Sequence, residues 1–162
     1  MRESYFRTEE RIDRLEKELE SWLGTPFKHN NGLKGVAADC IHHVAIALYN
    51  VGAIKKYNIK PYGKDWHMHK GHQRLFKNFV DQAEAQGRSV EIFDPATSEP
   101  EDGDIVLYQF GNFNMSHSSV YCRGFGYHSL TDSVNMRIPY GDEISKGSQK
   151  KVILRITEEV GD

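Results

Sequence analysis

No apolar run in this sequence approaches the length of a membrane-spanning helix. Nor is there a basic patch or stripe: basic and acidic residues are mixed throughout, and the formal charge is −2. The electrostatic footprint of nucleic-acid binding is therefore missing. Residues 1–22, MRESYFRTEERIDRLEKELESW, contain no apolar h-region and no small-residue cleavage site, so they do not read as a secretory signal. The expectation is a chain that is cytoplasmic as synthesised and leaves the cell only if other machinery delivers it. Cysteine is scarce. The two present, Cys40 and Cys122, are expected to be free thiols in a reducing compartment. No internal repeat, low-complexity tract or domain boundary is visible.

What is there suffices for one core. The 162 residues are 38% hydrophobic, with eight Tyr, eight Phe and two Trp. A single domain spanning 1–162 fits that size. In residues 8–23, Ile12, Leu15, Leu19, Trp22 and Leu23 recur at helical spacing, with Thr8 as N-cap and Gly24 as stop. The stretch GTPFKHNNGLKGVAA is a glycine-rich loop. Asp39 then caps a helix from about Cys40 to Val51, and a third helix is expected over 72–86. Beyond Gly87 the pattern changes to short β-branched and aromatic runs: SVEIF, DIVLYQF, HSSVYCR, YHSL, NMRIPY and KKVILRI. Helices first and strands afterwards make an α+β chain, with a mostly antiparallel sheet of about five or six strands.

Cys40 stands where chemistry is favoured. It follows a loop and begins a helix, where unpaired N–H groups stabilise a thiolate and the oxyanion its attack creates. A thiol pKa below about 8.5 is expected there. From position alone, a nucleophile and a small buried hydrophobe both remain open. A nucleophile needs a base, and the base an orienter. His117 opens one strand and His128 lies on the next, with RGFG as the turn between them. Such a hairpin can join the two rings. A pair of half-exposed strand histidines is the bland alternative.

Three stretches in order resemble the signatures of the NlpC-type (NlpC/p60) papain-like cysteine peptidases: GTPFKHNNG…GVAADCIHHVAIAL, GDIVLYQF…SHSSVYC and GYHSL. DWHMHKGHQRLFKNF is also similar to a linker in phage and prophage members. The resemblance covers roughly residues 20–135. It implies a papain-like fold and a triad of Cys40, His117 and His128. It further implies hydrolysis of amide bonds in peptidoglycan stem peptides, between D-glutamate and a diamino acid. The usual Ser-Gly after Asp-Cys is Ile41-His42 here, and the usual Tyr of the first signature is Phe27.

Around that centre, Asp39 is a candidate for reading a substrate amine as well as a helix cap. His29 is a candidate polar contact, and Trp66 and His67 are candidate cleft walls. His42 and His43 are expected at the surface, and Cys122 is read as structural. His67, His69 and His72 have zinc-like spacing but only Asp65 as a further ligand, so no metal and no cofactor are expected. The expected partners are peptidoglycan or another peptide substrate, with phage tail or lysis proteins as the delivery route. A tail-assembly binding module, and an amidase or acyltransferase on another substrate, are the alternatives.

Overall fold

The computed structural model describes residues 1–57, 59, 77, 80–110, 115–142 and 148–161. The chain opens with a short strand, β1 (Arg2–Ser4), and helix α1 (Glu9–Glu20). Thr8 caps α1 by accepting the Arg11 N–H, and Glu9 and Glu10 place negative charge in the first turn, where the helix dipole favours it. Ile12, Leu15 and Leu19 form its buried stripe. The helix is shorter than its apolar periodicity suggests. Trp22 is fully buried in the turn beyond it, while Leu23 is turned toward solvent.

The glycine-rich loop contains a small hairpin, β2 (Gly32–Leu33) with β3 (Ala37–Ala38). It leads directly into α2 (Cys40–Asn50), capped by Asp39 as expected. Gly52, at φ +84, lets the chain turn out of this helix. Of the third expected helix, residues 80–85 are helical; much of the remainder, with Asp65, Trp66, His67, His69 and His72, lies outside the described residues.

The other strands are β4 (Arg88–Phe93), β5 (Ile105–Phe110), β6 (Met115–Cys122), β7 (Phe125–Ser129), β8 (Asn135–Pro139) and β9 (Ser148–Glu159). Each of the six predicted runs forms a strand. The sheet nevertheless has seven strands, in the order β1-β9-β5-β6-β7-β8, with β4 on β9. Among the described residues all its strand pairings are antiparallel. The extra strand is β1. Its three polar residues carry no alternation, and only pairing with Thr157–Glu159 makes them a strand.

The long strand β9 carries β4 along one edge, and β5 and then β1 along the other. Leu15 and Leu19 of α1 and Val44, Ala47 and Leu48 of α2 pack with Ile105, Val120, Leu154 and Ile156 of the sheet in one core. Burying such side chains contributes about 1.5–3 kcal/mol each before chain entropy is counted. No helix among the described residues is long and apolar enough to cross a membrane.

Candidate active site

The site forms where the start of α2 meets β6 and β7. On β6 and β7, Ser119 pairs with His128 and Val120 with Tyr127. That register sets His117 diagonally across from His128 on one face. The Nε2 of His117 and the Nδ1 of His128 are 2.8 Å apart, so the two rings share a proton. Tyr108 of β5, which pairs with His117, lays its ring against both imidazoles at 5.6 and 5.7 Å between centroids. The expected histidine pair is present, but buried rather than half-exposed.

Cys40 is fastened to the same strands. The Ser118 hydroxyl donates to the Cys40 carbonyl at 3.1 Å, and the Ser129 hydroxyl donates to the Ala38 carbonyl at 2.7 Å. The hydroxyl and main-chain N–H of Ser118 both favour ionisation of the Cys40 thiol. Each histidine is thus followed by a serine that holds the segment Ala38–Cys40. Sequence reasoning passed over Ser118 and Ser129. The repeated His-Ser dipeptide, in MSHSS and GYHSL, was the available signal.

Burial governs the electrostatics. The Cys40 thiol is pushed up to about 12, because desolvation and then the neighbouring Asp39 carboxylate outweigh the Ser118 hydrogen bonds. The depressed thiol pKa expected for a helix start is therefore not found: half a unit of dipole charge does not offset removal from water. Burial likewise pulls His117 down to about 4. It pulls His128 down to about 2, with help from the charges of His117 and His43. At neutral pH the sulfur and both rings are uncharged.

The other expected site residues fall as follows. Asp39 is fully buried. Its carboxylate accepts the His42 N–H at 2.8 Å and both its oxygens lie 2.9 Å from His42 Nδ1. In this conformation that carboxylate faces His42. His29 is half-buried in the preceding loop, where its carbonyl accepts from Asn31. The expectation of surface positions for His42 and His43 is corrected. His42 is half-buried, and His43 is completely buried, edge-on to Trp22 at 5.2 Å between centroids. His43 lies on the inward side of α2, one turn after Cys40. Cys122 is buried in the core, and its thiol too is raised to about 12 by burial. Among the described residues no group of three or more His, Cys, Asp or Glu is arranged to hold a metal ion.

No known family model and no curated protein matches this sequence. Solved structures do match. A Staphylococcus aureus protein described as similar to lipoprotein, NLP/P60 family, superposes with a TM-score of 0.52 at 11% identity, over 96% of this chain and 43% of that one. The chain thus spans less than half of that protein. The NlpC/p60 domain of the peptidoglycan hydrolase SagA gives 0.52 at 12% identity, over 92% of this chain and 98% of the domain. An N-acetylmuramoyl-L-alanine amidase from Bacteroides uniformis gives 0.53 at 11% identity, over 92% and 98%. The fold is that of the NlpC/P60 domains. The α+β, papain-like architecture expected from the sequence stands.

Proposed function

We propose that this chain, built on the NlpC/P60 fold, is a cysteine hydrolase that cleaves amide bonds of peptidoglycan stem peptides. The observation that carries the reading is the 2.8 Å bond between His117 and His128 beside the start of α2, where Ser118 holds Cys40 against β6. In the proposed triad Cys40 is the nucleophile, His117 its base and His128 the orienter of that base.

In this reading His117 keeps a proton on Nε2, donated to His128 Nδ1, and takes the Cys40 proton on Nδ1. Because the resting thiol and imidazole are both neutral, proton transfer accompanies attack. The sulfur bonds to the carbonyl carbon as its proton moves to His117, and the carbonyl π electrons pass to oxygen. Main-chain N–H groups in the first turn of α2 face that oxyanion. Collapse breaks the C–N bond, and His117 gives its proton to the departing amine. Water, deprotonated by His117, then hydrolyses the thioester.

The bond between D-glutamate and the diamino acid is the proposed target. An amidase acting nearer the glycan is the second reading, favoured by the likeness to the B. uniformis amidase. The phage association rests on residues 65–79, of which only Lys77 lies within the described residues. Digestion of purified muropeptides, read by mass spectrometry, tests all of this. The parent chain is expected to release a defined fragment and Cys40→Ala none, with unchanged circular dichroism. Equal cleavage by both would remove Cys40 from the mechanism.

A further inference from the structure

We propose that Ser118 is a positioning residue for the nucleophile: its hydroxyl holds the Cys40 carbonyl while the sulfur is a thiol, and turns to the sulfur as the proton leaves. The inference rests on Cys40 being the nucleophile, and adds to that reading a residue which acts on the sulfur from the strand of the base.

Ladder geometry places Ser118 for this task. The β6–β7 pairing begins at Ser119 with His128, so Ser118 lies just beyond its end. There the segment Ala38–Asp39–Cys40 lies against the two strands, held by Ser129 at Ala38 and by Ser118 at Cys40. Both serines are fully buried, so neither hydroxyl can exchange its partner for bulk water.

The two serines differ in what they reach. Ser129 donates to the Ala38 carbonyl, whereas Ser118 donates to the carbonyl of Cys40 itself and favours ionisation of its thiol. A hydroxyl has one proton to donate. With sulfur protonated, that proton serves the carbonyl, and with sulfur ionised a charge-assisted bond to sulfur is the stronger choice. The Ser118 N–H is fixed by its place in β6, so only the hydroxyl can switch. No covalent bond of Ser118 changes.

Several other groups bear on the Cys40 charge. Asp39 lies beside it in the chain and opposes ionisation. His42 and His43 lie on α2, His117 on β6 and His128 on β7. The three buried rings are neutral at pH 7.

The test is alkylation of Cys40 by iodoacetamide in the full chain, followed by mass spectrometry of the Cys40 peptide across pH 7–10, alongside muropeptide cleavage. Ser118→Ala is expected to slow alkylation at fixed pH by about five-fold or more and to move its pH profile to higher pH. The size follows from losing a charge-assisted bond, partly offset by the greater intrinsic reactivity of a more basic thiolate. Ser118→Thr is expected to restore the parent profile, and Ser129→Ala to leave it in place. Should Ser118→Ala fail to fold, Ser118→Thr against Ser118→Val isolates the same hydroxyl in matched shapes. A hydroxyl-free variant that alkylates along the parent curve overturns the inference, even if the parent cleaves muropeptides normally. A parent that cleaves nothing, yet shows the Ser118-dependent shift, overturns the hydrolase reading and leaves this one standing.

Discussion

His117 Nε2 and His128 Nδ1 face each other across 2.8 Å, with their ring planes only 3° from parallel. The in-line arrangement fixes how one proton is divided. For His117 to act as a base through Nδ1, its Nε2 must hold the proton and His128 must accept. His128 then carries its own proton on Nε2, a buried atom with no hydrogen-bond partner among the described residues. An isolated buried donor costs about 1–3 kcal/mol. The working tautomer is thus held against a local cost, which makes His128 sensitive to substitution.

Replacing His128 by Ala is expected to lower kcat/KM by about a hundred-fold or more, because His117 loses the acceptor that selects its tautomer. Asn, whose amide oxygen can occupy the Nδ1 position, is expected to retain more activity than Ala. Steady-state kinetics on purified muropeptides decide the point. Equal rates for Ala and the parent would mean that the histidine pair is structural.

Acid should unfold this protein steeply. Burial lowers His117 to about 4, His43 to about 3 and His128 to about 2. The ordinary value in an unfolded chain is about 6.5. Below that pH the unfolded state binds protons that the folded state refuses. Stability is therefore complete above about pH 6.5 and declines as pH falls toward the folded values. The slope approaches about 4 kcal/mol per pH unit once all three rings count. Urea melts between pH 7 and pH 5 measure it, and a flat midpoint would contradict the buried-imidazole picture.

His43→Leu separates one of those three contributions. Both ring nitrogens of His43 are buried without a hydrogen-bond partner among the described residues. Leucine of similar volume is expected to raise stability by about 1–2 kcal/mol at pH 7 and to make the acid slope shallower by about a third. A loss of stability at pH 7 would show that the ring is held by something other than packing on Trp22.

Gly126 lies two residues before His128, and a Cβ placed on it would sit 2.6 Å from His128 Nε2. The ring cannot simply swing aside, since its other nitrogen is bonded to His117. Gly126→Ala is expected to lower kcat/KM about ten- to a hundred-fold and to cost about 1–3 kcal/mol of stability through overpacking. Unaltered kinetics would mean that the ring accommodates the methyl and that its exact placement is unimportant.

Away from the site, Arg155 of β9 grips Asp104 with two bonds, at 3.0 and 2.8 Å, and Asp104 is almost fully buried. Burial raises the Asp104 pKa despite this partner. Arg155→Ala is expected to cost about 3–5 kcal/mol at pH 7 by stranding the carboxylate. Part of that loss should return in the double variant carrying Asp104→Asn. Thermal melts of the two variants provide the check, and a neutral Arg155→Ala would rule out the pair as a stability determinant.

The sequence by itself determined the local features. Alternating β-branched residues after Gly87 specified six strands, and Asp39 before an apolar helical run specified a capped helix with Cys40 at its start. Such signals need only near neighbours. The order of His117 and His128 on consecutive strands was legible for the same reason. Tertiary structure decided what depends on partners distant in the chain. It made a strand of the polar residues 2–4 by pairing them with Thr157–Glu159. It buried His43 against Trp22 and turned Asp39 toward His42. It also joined Ser118 and Ser129 to the main chain around Asp39. Above all, it set the charge state of the site. A helix start read from sequence suggests a thiolate, but only packing fixes how much water is lost, and that loss leaves the Cys40 sulfur protonated.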